Sequence, residues 1–391
     1  MVEGGLRALV EEVTPNAPLP RPLGALRDED QPGAVCFRTT PELHAGYNRG
    51  VLGNPGATRR ACIKFPLLTL HSSLTMLRAF FLYLSHAVWA RTLITRFRFA
   101  WQAASRFVAG ETADDAITAI RALNAKGIHA TVDHLGESVT NEAEAAQAAD
   151  DYIHILDKIA ASGVRSNVSV KLTQLGLDID TDFCARNVQR VVEKAKATSS
   201  FVRIDMEGTP HTDRTIAVFR ALHKDFDNVG IVLQSYLYRT EKDLRALADE
   251  GARIRLCKGA YNEPPDKAFP RKADVDANYV KLTQVLFDRA QSVPPAGGSS
   301  RTPPLPAIAT HDEKMITAAK AYAEEKRLPR EYFEFQMLYG IRRELQEQLV
   351  REGYAMRVYV PYGTSWYPYF MRRLAERPAN VWFILSNLFR R

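Results

Sequence analysis

Cysteine is scarce in this chain: only Cys36, Cys62, Cys184 and Cys257 occur in 391 residues. None forms a CxxC pair and no spacing among them suits a zinc site or a disulfide framework, so no metal is expected and a reducing compartment fits best. Uninterrupted apolar runs of the roughly 20 residues a spanning helix needs are also missing. The longest apolar stretch, Leu74 to Ile94, is broken by Arg78, His86 and Arg91. The opening MVEGGLRALVEEV carries acids where a secretory signal needs a basic start and an apolar core. Together these absences lead us to expect a cytoplasmic location. No GxGxxG follows any apolar, β-branched run, which removes the usual fingerprint of a doubly wound nucleotide-binding sheet.

What is present is an ordinary globular composition, 46% hydrophobic and 25% charged, enough for one large domain plus an extension. The net charge of +7 would suit an anionic partner such as a membrane surface, and basic balance alone selects none; no nucleic acid is expected. Residues 1–75 cluster Pro, Gly and Asn without periodicity and read as disorder or a misannotated extension. Met76 opens the first regular helix and is the expected true start. From 76 to 111 a helical arm is expected. Leu77, Phe80, Phe81, Leu84, Val88 and Ile94 keep near-helical spacing, and Arg91, Arg96, Arg98 and Arg106 gather after them, as in a helix that packs on the main domain or lies basic side down on a membrane.

From 112 to 391 amphipathic helices alternate with short β-branched runs: 128–134, 167–173, 201–207, 229–235, 253–259, 306–312, 332–338 and 356–363. Eight such units predict an α/β fold, a closed (β/α)8 TIM-like barrel, with a last helix closing its mouth. One connection differs: 291–306, QSVPPAGGSSRTPPLP, reads as a flexible insertion before a strand, on the face that serves stability.

In such barrels chemistry sits where the strands end. There the sequence places Asp133 and His134, Lys171, Asp205 and Glu207, Gln234, Arg255 and Lys258, Thr310 and His311, Gln336, and Tyr359. A single buried lysine or aspartate is as often half of a structural ion pair; recurrence on successive strands favours a site. Three cations against few acids would favour an anionic ligand. Lys171 alone would also suit a Schiff-base aldolase.

IRLCKGAYNE (254–263), VSVKLTQLGLDID (168–180), RIDMEG (203–208) and YFMRRLAERPAN (369–380) resemble proline dehydrogenases of the single-function, FAD-dependent bacterial type, in the family's order. The resemblance runs from about Met76 to the C-terminus and omits 291–306. It implies oxidation of L-proline to 1-pyrroline-5-carboxylate, with hydride passed to FAD and electrons to a membrane quinone, and the product taken by a separate 1-pyrroline-5-carboxylate dehydrogenase. It also implies the roles. Arg255, Lys258, Gly259, Ala260, Met206, Gln234, Thr310 and His311 would hold FAD, with Arg255 near the hydride-accepting nitrogen. Asp205 would act with Arg255 in catalysis. Arg372 and Arg373 would bind the proline carboxylate together with Lys171, with Glu376 one turn away to brace Arg372. Tyr261, Leu338 and Tyr359 would wall the ring. A peripheral contact with the inner face of the membrane through the arm completes the expectation.

Overall fold

The computed structural model describes residues 80–292 and 301–376, apart from 82, 86 and 95–97. The expectations for residues 1–75 and for Met76 therefore lie outside the described residues, as does 293–300 of the Pro/Gly/Ser-rich stretch.

Eight strands pair in parallel in chain order and close on themselves: β1 (His129–His134), β2 (Ser166–Val170), β3 (Val202–Ile204), β4 (Val229–Gln234), β5 (Arg253–Cys257), β6 (Pro306–Ala309), β7 (Glu334–Leu338) and β8 (Ala355–Tyr362). Val132 of β1 lies beside both Val168 of β2 and Val360 of β8, which closes the ring. The predicted barrel is thus the observed fold. Several strands stop short of their apolar runs, leaving Lys171, Asp205, Lys258 and Thr310 as the first residues beyond β2, β3, β5 and β6. Side chains capture the backbone there: the Thr173 N–H, for example, goes to the Glu207 carboxylate at 3.1 Å.

A helix follows each strand, and the start signals are local. Asn141, Asp180 and Asp312 accept backbone N–H groups at their helix starts, and Thr112 with Asp115 forms a capping box before the helix Ala113–Asn124. Gly163, at φ 68°, ends the helix Glu142–Ser162 in the left-handed conformation that a side chain would disfavour. These helices bury apolar stripes, such as Tyr152, Ile155, Leu156 and Ile159, against the outer faces of the strands.

A second hydrophobic cluster joins the arm to the helix Trp366–Glu376. It brings Phe81, Leu84, Ala100 and Phe107 against Trp366, Tyr367, Phe370 and Leu374. The Tyr367 hydroxyl donates to the Leu84 carbonyl at 3.1 Å, and the Trp101 and Trp366 rings lie 5.4 Å apart. The arm is not one amphipathic helix. It breaks at Ala87 before the helices Val88–Ile94 and Arg98–Ala104. Phe81, Leu84 and Ala90 thereby reach the cluster while Phe80, expected on the same apolar stripe, is exposed. Among the described residues no helix is long and apolar enough to cross a membrane.

Inside the barrel, where branched apolar residues usually dominate, lie charges. Arg203, Glu334 and Arg357 are each 1% exposed. The Arg357 fork donates to both Glu334 oxygens, at 2.8 and 3.1 Å, and to the Ala130 carbonyl at 2.9 Å. The Arg203 guanidinium needs Gly230: a Cβ there would lie 2.6 Å from it. Gln336, expected at the mouth, instead donates to Glu334. Two residues past Glu334 on β7, it shares the inward face and its amide reaches the buried carboxylate. At the opposite face from the mouth, Arg301 donates to the carbonyls of Ile159, Val164 and Thr198 at 3.1–3.3 Å, so the end of the 291–306 stretch is pinned across helix ends.

Candidate active site

One hydrogen-bonded chain crosses the barrel mouth and joins five of the residues singled out from sequence. Arg255 donates to Asp205 Oδ1 at 2.9 Å, and the Tyr359 hydroxyl donates to Asp205 Oδ2 at 2.8 Å. Lys171 Nζ lies 3.3 Å from that hydroxyl and 2.9–3.0 Å from both Asp133 oxygens. The Arg255 guanidinium also lies 5.5 Å from the centre of the Tyr359 ring. Sequence reasoning gave no role to Ser169, whose hydroxyl donates to Asp205 Oδ1 at 2.7 Å; its position two residues before Lys171, on the same inward face, was the available signal. Nor did it foresee Tyr152, which reaches from the helix after β1 to Asp133 at 3.2 Å and to Gln174 at 3.2 Å.

Burial pushes the Asp133 carboxyl up, against the opposing pull of Lys171. For Lys171 burial disfavours the charge, yet Asp133 and then Asp205 outweigh it and hold the ammonium above its usual range. Tied to both Asp133 oxygens and near the Tyr359 hydroxyl, the Lys171 amine is engaged in the network, which weighs against the aldolase reading, since a Schiff-base lysine must offer a free amine. The excess of cations at the mouth is also not what the structure contains. Lys171 faces Asp133, Arg255 faces Asp205, and Lys258 lies between Asp276 and Asp312, 2.7 Å from the latter. The compensating acids sit on neighbouring strands and helices, where sequence order hides them.

The residues assigned to a cofactor line the rim from β3 to β6. Gln234 Nε2 donates to the Met206 carbonyl at 3.0 Å, and among the described residues its buried Oε1 has no partner. Arg255 Nε is likewise buried and unpartnered. Gly259 has φ 119° and passes so close to Tyr236 that a Cβ would sit 2.3 Å from its ring. Ala260 is exposed beside it. The Thr310 hydroxyl accepts the Asp312 N–H at 3.1 Å, and His311 Nε2 accepts the Leu338 N–H at 2.9 Å, which places the ring proton on Nδ1.

Arg372 and Arg373 sit on the closing helix and diverge, as neighbours on a helix must. Arg372 pairs with Glu137 from the loop after β1, and Arg373 lies over its own helix's Tyr369 at 5.0 Å. Burial disfavours charge on Arg372, and Glu137 more than restores it. The expected brace was Glu376, whose side chain lies outside the described residues; the observed one is Glu137, delivered by a loop no periodicity marks. Tyr261 lies in the electrostatic field of Glu207, Glu137 and Arg372, and burial followed by those carboxylates raises its phenol.

A sequence model of the proline dehydrogenase family matches residues 116–385. The chain belongs to the proline dehydrogenase family. With that membership comes the first step of proline catabolism. Proline dehydrogenase 1 of Bacillus subtilis (strain 168) is 39% identical over 319 residues, covering 81% of this chain and all of that one. The proline dehydrogenase of Deinococcus radiodurans is 42% identical over 293 residues, 74% of this chain and 90% of its own length. Among solved structures, proline utilization A (PutA) from Bdellovibrio bacteriovorus superposes with a TM-score of 0.66 at 26% identity, over 78% of this proline dehydrogenase chain; the match spans 37% of that larger protein.

Proposed function

We propose that this chain oxidises L-proline to 1-pyrroline-5-carboxylate with FAD as hydride acceptor and a quinone as the final electron acceptor. The reading is carried by one observation: the Arg255–Asp205–Tyr359–Lys171–Asp133 chain lies at the same mouth that the arginine-bearing helix closes. The rim fits a flavin. Two buried polar atoms without partners among the described residues, Gln234 Oε1 and Arg255 Nε, offer an acceptor and a donor to a heteroaromatic ring, and the Gly259 turn, packed against the Tyr236 ring where a Cβ would clash, fixes the loop that carries Lys258 and Ala260. Arg255, Lys258, Gly259, Ala260, Met206, Gln234, Thr310 and His311 would hold FAD, which when bound supplies a two-electron hydride acceptor.

The chain's own residues supply the rest. Arg372 and Arg373 bind the proline carboxylate, with the Lys171 ammonium as a third cation, a task suited to forked guanidinium groups. Tyr261, Leu338 and Tyr359 wall the ring and exclude water, and orientation accounts for most of the acceleration. Asp205, fixed by Arg255, Ser169 and Tyr359, holds the polar side of the site and is the candidate acceptor for the ring nitrogen's proton. Loss of hydride from the carbon beside nitrogen and of that proton gives the cyclic imine.

Residues 112–391 form the catalytic barrel in this reading and 76–111 its arm. The basic arm supports a peripheral contact with the membrane that contains the quinone. Similarity to complete single-function relatives supports hand-over of the product to a separate dehydrogenase. The test is an absorption spectrum of the purified protein before and after anaerobic L-proline. Flavin bands that bleach are expected; flavin bands indifferent to proline would remove the substrate, and a protein that takes up no FAD would remove the reading.

A further inference from the structure

Thr173, three residues beyond β2, commits every polar atom it has. Its N–H and its hydroxyl both donate to Glu207, at 3.1 Å to Oε1 and 2.6 Å to Oε2. Its hydroxyl oxygen accepts the Ser138 N–H at 3.1 Å, and its carbonyl accepts the Val139 N–H at 3.2 Å. A hydroxyl has one proton and two lone pairs. Giving the proton to Glu207 therefore turns the oxygen to Ser138 as an acceptor. Both groups are deeply buried, Thr173 at 1% and Glu207 at 4% exposure, so water does not compete for these bonds.

The loop held this way is under constraint on both sides of one residue. Ser138 adopts φ 56°, a left-handed conformation that a non-glycine residue keeps only when its surroundings impose it. Two residues earlier, Gly136 lies against Gln174, where a Cβ would meet Nε2 at 2.4 Å. Between them stands Glu137, the partner of Arg372.

We propose that Thr173 and Glu207 are positioning residues for substrate binding: they clamp the loop after β1 so that Glu137 aims the Arg372 guanidinium at the substrate carboxylate. Neither touches the substrate. The inference rests on the reading of Arg372 as a carboxylate ligand. It makes the third strand contribute twice, through Asp205 directly and through Glu207 by way of the second strand's loop and the first's. Burial raises the Glu207 carboxyl, and the two bonds from Thr173 oppose that rise.

The experiment uses FAD-loaded full-length enzyme, L-proline and a soluble quinone. Thr173→Val keeps the shape and removes the hydroxyl, and Thr173→Ser keeps the hydroxyl. Loss of the hydroxyl's two hydrogen bonds, to the Glu207 carboxylate and from the Ser138 N–H, predicts a KM for proline raised about tenfold in Thr173→Val, with kcat within about twofold of wild type. Thr173→Ser is expected within about twofold of wild type. In a Glu137→Gln background the Thr173→Val change should add less than about twofold, because its effect passes through Glu137. An unchanged KM in Thr173→Val, a loss confined to kcat, or a full tenfold effect in the Glu137→Gln background would each overturn the proposal. Should Thr173→Val not fold, Glu207→Gln is read by the same comparison. Wild-type enzyme inert toward proline would sink the functional reading instead, so the two failures are distinguishable.

Discussion

Replacing Glu334 by Gln keeps the shape of the side chain and removes the carboxylate that the Arg357 fork holds inside the barrel. Arg357 and Glu334 are each 1% exposed and share two bonds, at 2.8 and 3.1 Å. Arg357 overcomes the effect of burial and holds the Glu334 carboxyl below its usual range, so the pair is ionised in the fold. Removing one partner of such a pair strands the other charge away from water, which costs about 3–5 kcal/mol. Arg203 lies close by, and burial together with the neighbouring Arg255 already disfavours its charge, so the upper part of that range is expected. For a barrel of this size the loss corresponds to a Tm lower by roughly 10 °C. Urea denaturation followed by circular dichroism would measure it, with Arg357→Met and the double variant alongside. The double variant removes both charges and should recover at least half of the loss. High salt should leave the difference unchanged, since a buried pair is screened little. A loss below about 1 kcal/mol in Glu334→Gln, or a double variant as unstable as the sum of the singles, would refute the argument.

Two further predictions concern the loop after β5 and the base of the barrel. Gly259→Ala puts a Cβ at φ 119° within 2.3 Å of the Tyr236 ring, so the loop must shift and FAD affinity should fall at least tenfold by fluorescence titration; unchanged affinity would mean the turn is not part of the cofactor site. Burial, then Arg357, lowers the His129 pKa to about 4 from 6.5. The unfolded chain takes up this proton near 6.5 and the fold only near 4, so stability contributed above pH 6.5 is lost as pH falls toward 4, by up to about 3 kcal/mol. In His129→Gln the decline of Tm between pH 7 and 4.5 should be shallower than in wild type, and parallel curves would contradict it.

The barrel was legible because its strands are short β-branched runs at regular spacing and because parallel pairing in chain order needs no long-range information. Asp205, Arg255, Lys171 and Tyr359 were found by their position at strand ends, and the structure joins them. What escaped was whatever depends on the third dimension. Tyr152 is one more apolar position of a helix until its hydroxyl meets Asp133. Glu137 and Asp276 bear no periodic mark, yet they pair with Arg372 and Lys258. Gln336 satisfied the strand-end rule and turned out to serve the buried carboxylate below. The break at Ala87 was invisible because the apolar spacing on either side of it fits one helix as well as two.

The closing helix packs on the arm through its own cluster, with Trp366, Tyr367 and Phe370 against Phe81, Leu84 and Ala100. Arg372 and Arg373 thus ride on a unit whose solidity is decided by residues that precede the first strand. Local opening of that unit would expose the arginines while the eight strands stay shut. On the proposed reading of Arg372 and Arg373 as substrate ligands, heat resistance of the barrel and grip on the substrate become separable traits that selection can tune through the arm independently.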